Sequence, residues 1–188
     1  MSPESHEQNN INESIAPHPM GNNSFTDREL ILNLEEGVEL IINNLALGET
    51  IILDLFGGKF SQVPNAINID LMADSGIRAS VADFLTKLPK NSIDEIIASN
   101  PQADFIERAA TALKLGGRIY INATKGNPFG RLPNSEILDR LKLIIIQVNS
   151  PLAPRFAHQK FSRQTPRSDG TLDIPAFSIK TTILEKIK

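Results

Sequence analysis

Four stretches of this sequence place glycine or polar residues directly behind short apolar runs. The first is Asp54-Leu55-Phe56-Gly57-Gly58, which follows Ile51-Ile52-Leu53. Paired glycines tolerate positive φ and let a ligand approach the backbone, and a carboxylate beside them accepts hydrogen bonds. The second is Asp70, at the end of the run 66–71 and twelve residues after Gly58. A carboxylate at such a strand end can accept from both hydroxyls of a ribose. The third is Ala82-Asp83-Phe84, where a carboxylate could take an exocyclic amine and a ring could cover a base. The fourth is Ser99-Asn100-Pro101, whose amide offers both a donor and an acceptor. Each has an ordinary structural use. A glycine pair makes a tight turn, a strand-end Asp caps a turn, and Asn-Pro is most often a turn. Their serial order is what singles them out.

The elements that must position them follow from periodicity. Thr26 or Asp27 could cap a helix in which Leu30, Ile31, Leu34, Val38, Ile41, Ile42 and Leu45 recur at helical spacing, with Gly37 as a kink and Gly48 as the stop. Runs 50–56, 66–71, 79–84, 93–99, 118–124, 143–148 and 180–187 read as seven strands. Helices are expected at 102–115, with Gly116-Gly117 as its C-cap, and at 135–141. Strands alternating with helices predict an α/β protein, a Rossmann-like doubly wound sheet of about seven strands with ligands beyond the strands' carboxyl ends.

Composition narrows the classes. The 188 residues suffice for one ordinary domain. A net charge of −3 excludes a broadly basic binder but leaves room for a local basic patch. There is no Cys, and the three His (His6, His18, His158) are scattered, so no metal site is expected. No apolar run is long enough for a membrane span, and the acidic N-terminus is unlike a secretory signal, which predicts a cytoplasmic protein. Residues 1–24 hold three Glu and no Lys or Arg and read as a disordered acidic tail. Residues 25–188 form the domain.

From Ile51 to about Val148 the chain resembles the class I S-adenosylmethionine-dependent methyltransferases. Ile52-Leu-Asp-Leu-Phe-Gly-Gly58 resembles their first motif, Asn68-Ile-Asp-Leu71 their ribose-binding acid, and Val81-Ala-Asp-Phe84 their adenine-flanking position. Leu88-Pro-Lys-Asn-Ser-Ile-Asp94 is similar to the turn into their fourth strand, and Ala112-Leu-Lys-Leu-Gly-Gly-Arg-Ile-Tyr120 to their helix–Gly-Gly–strand segment. The rhythm is also similar to methyltransferase-like domains of some bacterial secreted toxins. The resemblance implies S-adenosylmethionine as cofactor, with contacts at Asp54, Gly57, Gly58, Asp70, Leu71, Asp83 and Phe84. It implies that Asn100 faces the methyl donor and, as in members that methylate amino groups, accepts from the target amine, an amine acceptor being slightly favoured. The chain departs from the pattern twice. Lys59 and Phe60 follow Gly58 where a further glycine is usual, and only nine residues (57–65) join the first two strands. A parallel crossover usually takes at least about 10–12 residues, so the first crossover is shortened and its helix is a turn or two, or absent.

Between the sixth and seventh strands a long segment, 151–175, reads as a basic loop insertion. Four Lys or Arg against one Asp give it a local +3 over 151–170. Basic residues interleaved with Phe could grip phosphates and stack bases. Arg155, His158 and Arg163 are its candidates for an anionic or nucleic-acid substrate. The other reading is a non-catalytic or toxin-like module of the same fold acting through partner binding.

Overall fold

A computed structural model of the chain describes residues 30–164 and 170–188. The acidic tail and the helix caps at Thr26 or Asp27 lie outside the described residues, as do residues 165–169 of the basic segment.

Helix α1 spans Leu34–Ala46, later than the periodicity suggests. Asn33 Oδ1 accepts from the Glu36 N–H at 3.0 Å, and Glu36 Oε2 accepts from the Asn33 N–H at 2.9 Å. This reciprocal cap fixes the first turn. The residues before it, Ile31–Leu32, instead form a short edge strand, β1. Gly37 does not kink the helix. Its missing side chain admits Ile77, whose Cδ1 would lie 2.7 Å from a Cβ there.

The central strands are β2 (Ile52–Leu55), β3 (Ala66–Asp70), β4 (Gly76–Arg78), β5 (Ile93–Ser99) and β6 (Leu113–Thr124). The expected third strand at 79–84 is corrected. The strand is β4, and 81–87 is a helix, α2 (Val81–Lys87), because Ser80 Oγ accepts from the Asp83 N–H at 3.3 Å and caps it. Helix α3 (Ile106–Ala112) is shorter than expected, and Gly116-Gly117 lies inside β6 rather than capping the helix. The register between β5 and β6 slips between Ile93 and Glu95, opposite this pair. Gly116 takes φ +75° there, as a bulge requires. Helix α4 (Ser135–Leu141) leads to β7 (Leu143–Pro151). Strands β8 (Phe161–Gln164) and β9 (Thr171–Ile174) pair as an antiparallel hairpin, so the supposed loop at 151–175 carries structure of its own. The last strand, β10 (Ile179–Lys186), inserts antiparallel between β6 and β7.

The eight-stranded sheet runs β1-β4-β3-β2-β5-β6-β10-β7. The chain winds outward twice from β2 and β5, as a Rossmann-like sheet does. The handedness of its connections decides which face each covers. The links carrying α1, α2, α3 and α4 all step across the sheet in one direction, so right-handed crossing puts all four helices on one face. Their apolar sides meet Leu55, Ile69, Ile77, Ile96 and Ile121 in the main core. The two links that step the other way, 56–65 and 71–75, contain no helix, and these would have covered the opposite face.

That face is covered from elsewhere in the chain. Phe156, fully buried, packs with Val63 and Ile97, flanked by Ile52, Ala66, Tyr120, Leu152 and Ala153. The Tyr120 and Phe156 rings meet edge to face at 5.6 Å. The first crossover is tied to this layer by two bonds: the Lys160 N–H donates to Gln62 Oε1 at 2.8 Å, and Gln62 Nε2 donates to Lys160 O at 3.2 Å. Among the described residues, no helix is long and apolar enough to cross a membrane.

Candidate functional site

A cleft of about 640 Å³ opens at the carboxyl ends of β2, β3 and β5. It lies at the switch point where the two windings diverge, the usual ligand position in such sheets. Its floor is built by two unusual backbone turns. Phe56 (φ 61°) and Asn100 (φ 49°) both adopt left-handed conformations just past β2 and β5. Non-glycine residues are rare there, and such strain collects at functional sites.

Gly57 and Gly58 line the cleft beside Asp70. Gly58 N–H donates to Asp70 Oδ2 at 3.0 Å, and Met72 N–H donates to Asp70 Oδ1 at 2.7 Å. These bonds hold the carboxylate upright, and each oxygen keeps a lone pair for a ligand. Gly57 is obligatory for a different reason. A Cβ there would collide with Asn68 Oδ1 and lie 2.7 Å from Asp54 Oδ2. Asn68 Oδ1 is buried without a hydrogen-bond partner, although its Nδ2 donates to Gly58 O at 2.8 Å. Leu71 and Met72 stand on the rim, 67% and 62% exposed, with Val81 across from them. They form an apolar slot beside a polar carboxylate, which suits a purine base joined to a ribose.

Asp54 lies under the cleft and is fully buried. Its oxygens accept from Ser99 Oγ at 2.6 Å and Ser61 Oγ at 2.7 Å. The chain of bonds continues across the sheet. Gln159 Nε2 donates to Ser99 Oγ at 2.9 Å, Asn122 Nδ2 to Gln159 Oε1 at 3.0 Å, and Thr181 Oγ1 to Asn122 Oδ1 at 2.8 Å. Burial pushes the Asp54 carboxyl above its ordinary range, opposed by the two serine hydroxyls and assisted by the Asp70 charge. A raised folded-state pKa means the folded chain takes the proton first. Stability from this group therefore grows as pH falls through the folded pKa, reaches its full value below the unfolded pKa of about 3.9, and is absent above the folded pKa. Chemical denaturation across pH 4–8 should show Asp54→Asn gaining on the native protein as pH rises. Parallel curves would mean that Asp54 is not desolvated in this way.

The other candidates are placed as follows. Asn100 lines the cleft. Its Oδ1 accepts from Asn127 Nδ2 at 2.8 Å, and Asn127 is itself locked by the Phe129 and Gly130 N–H groups on its Oδ1. Arg163 lines the cleft from β8. Asp83 is exposed on α2 and Phe84 is fully buried in the main core, while Ser80, Val81 and Ala82 line the cleft instead. A strand at 79–84 would point Asp83 and Phe84 at the ligand, and the helix turns both away. His158 is exposed, whereas its neighbours Gln159 and Lys160 form the wall. Arg155 is on the helix-free face, with its guanidinium donating to both Glu95 oxygens and lying 5.1 Å from the Tyr120 ring centre. Ser61, Gln159, Asn122 and Thr181 had no sequence signal, because the network joins residues up to 60 positions apart. No group of three or more His, Asp or Glu able to hold a metal occurs among the described residues.

The strand order, with one antiparallel strand second from the edge, and the strand-end cleft are those of a Rossmann-like doubly wound sheet. No protein-family model matches the chain, and no curated protein does. Among solved structures, the chain is similar to the 16S rRNA (adenine(1408)-N(1))-methyltransferase from Catenulisporales acidiphilia. The identity is 10% over 80% of this chain and 93% of that one, with a TM-score of 0.45. It is also similar to a SAM-dependent methyltransferase from Archaeoglobus fulgidus, at 14% identity over 81% and 96% of the two chains and a TM-score of 0.45.

Proposed function

We propose that the protein is an S-adenosylmethionine-dependent methyltransferase acting on an acceptor presented at Asn100. The observation that carries this reading is the cradle of Gly57, Gly58 and Asp70 at the switch point, with the exposed apolar rim of Leu71 and Met72 beside it. The volume of about 640 Å³ falls within the range of small-molecule sites. The absent first helix does not close the cleft, because Gln159, Lys160, Phe161 and Arg163 supply the missing wall.

When bound, the cofactor supplies an electrophilic methyl group. The chain's own residues do the positioning. Asp70 accepts from the ribose hydroxyls, and the Gly57-Gly58 turn leaves room for the amino-acid part. Leu71, Met72 and Val81 cover the adenine. Asn100 retains one Oδ1 lone pair and its two amide hydrogens, and an amine acceptor can donate to that lone pair and be held in line. Such a transfer depends mainly on alignment and exclusion of water, and no strong base is required. A cytoplasmic setting goes with this reading. Isothermal titration with S-adenosylmethionine and S-adenosylhomocysteine tests it, with micromolar binding of both expected. No heat and no thermal shift from the folded protein would reject it.

A further inference from the structure

Two more hollows continue in line from the cleft past Asn100. One, of about 620 Å³, shares Asn100, Gln102 and Arg163 with the cleft and is otherwise walled mainly by Pro128, Phe129, Leu172 and Ile174. The other is a notch of about 230 Å³ that shares Thr124 and Asn127 with the second hollow. The three hollows therefore run in series through common walls, with Asn100 at the first junction and Asn127, which clamps Asn100, at the second.

The notch has a distinctive charge. Lys125, Arg131 and Lys180 line it, and no Asp or Glu does. Seven ion pairs neutralise cations elsewhere on the described residues, and none includes these three. Their charged groups make no side-chain hydrogen bond either, and Thr124, Asn149 and Thr182 add polar edges. Arg163, likewise unpaired, stands at the first junction. A small hollow lined by three cations and no carboxylate is matched by a compact, multiply charged oxyanion. It is smaller than the roughly 300 Å³ at which whole-ligand sites begin, so it fits one group of a larger molecule.

We propose that the notch receives a phosphate group of the methyl acceptor, whose body occupies the hollow between Asn100 and Asn127. This rests on the methyltransferase reading for the word acceptor, but the anion site stands on its own geometry. The phosphate is a monoester of a nucleotide or a diester of a nucleic-acid strand.

The test measures binding rather than turnover. With excess S-adenosylhomocysteine present to fill the adenosine-binding cleft, adenosine, AMP and a labelled single-stranded RNA 12-mer are titrated against the native protein, the triple variant K125Q/R131Q/K180Q, and a control of equal charge change, K90Q/K142Q/K188Q. The control residues are exposed and lie outside all three hollows. AMP or the RNA should bind the native protein and adenosine should not. The notch variant should bind at least about tenfold more weakly while the control binds as the native protein does. For the RNA, the salt slope should fall by about 2, near 0.7 for each of three cations. Binding of AMP assigns the monoester, and binding of the RNA alone assigns the strand. Failure of both ligands to bind, equal losses in both variants, or adenosine binding as tightly as AMP would overturn the proposal. Cofactor titration of the same three proteins separates the two ideas. No cofactor heat in any of them, with notch-dependent anion binding, would reject the methyltransferase and keep the phosphate site.

Discussion

Asp70→Ala is expected to weaken S-adenosylmethionine and S-adenosylhomocysteine binding by about 100-fold, from the loss of charge-assisted bonds worth about 1.5–3 kcal/mol each. The carboxylate stands at the end of β3 with both oxygens steered by backbone N–H groups. The substitution removes both the proposed ribose acceptor and the anchor of the Gly57-Gly58 turn. Asp70→Asn separates these roles. It keeps one oxygen for a backbone N–H and loses the charge, so it should fall between the native protein and the alanine variant. Titration reads the affinities, and the unliganded melting temperature reports whether the turn has loosened. Equal affinity in all three proteins would remove Asp70 from the site.

Phe156→Ala should produce the largest loss of stability. The ring is fully buried on the helix-free face, edge-on to Tyr120, with the Arg155 guanidinium 4.9 Å from its centre. Truncating a buried Phe costs about 3–5 kcal/mol, a large part of the roughly 5–15 kcal/mol that holds a domain together. The melting temperature should fall by about 10 °C, taking 2–4 °C per kcal/mol at this size. Cofactor affinity should fall with it, because Phe156 anchors the segment that delivers Gln159 and Lys160 to the cleft. A shift under about 2 °C would mean that this layer does not close the sheet.

Most of the central strands were legible because they are short apolar runs ending in a turn signal, and the run at 50–56 contains β2. Asp70 and the two glycines were legible for the same reason, since a parallel sheet presents its strand ends together. What failed was local. Strand β4 has three residues, too few for an alternating pattern, and Ser80 made a helix of the stretch taken for that strand. Gly116-Gly117 looked like a helix end, but β6 begins at Leu113 and absorbs the pair as a bulge. The shortened crossover was visible as a count of residues. That all four helices would then share one face, and that Phe156 would cover the other, required the whole topology. The Asp54 network could not be read at all, since Ser, Gln, Asn and Thr in isolation carry no spacing to compare.

The origin of that cover has a consequence for how the molecule is made. During synthesis the strands that form the cleft floor leave the ribosome long before the segment that shields them. Ile52, Ala66 and Ile97 wait for Phe156, and Gln62 is bonded to Lys160, 98 positions later. Contacts of such separation form late and slowly, and apolar surface left open in the interval is a hazard for association between nascent chains. Assembly of the binding cleft is therefore one of the last events of folding, and a chain that stops before Phe156 has most of its strands and none of its far wall.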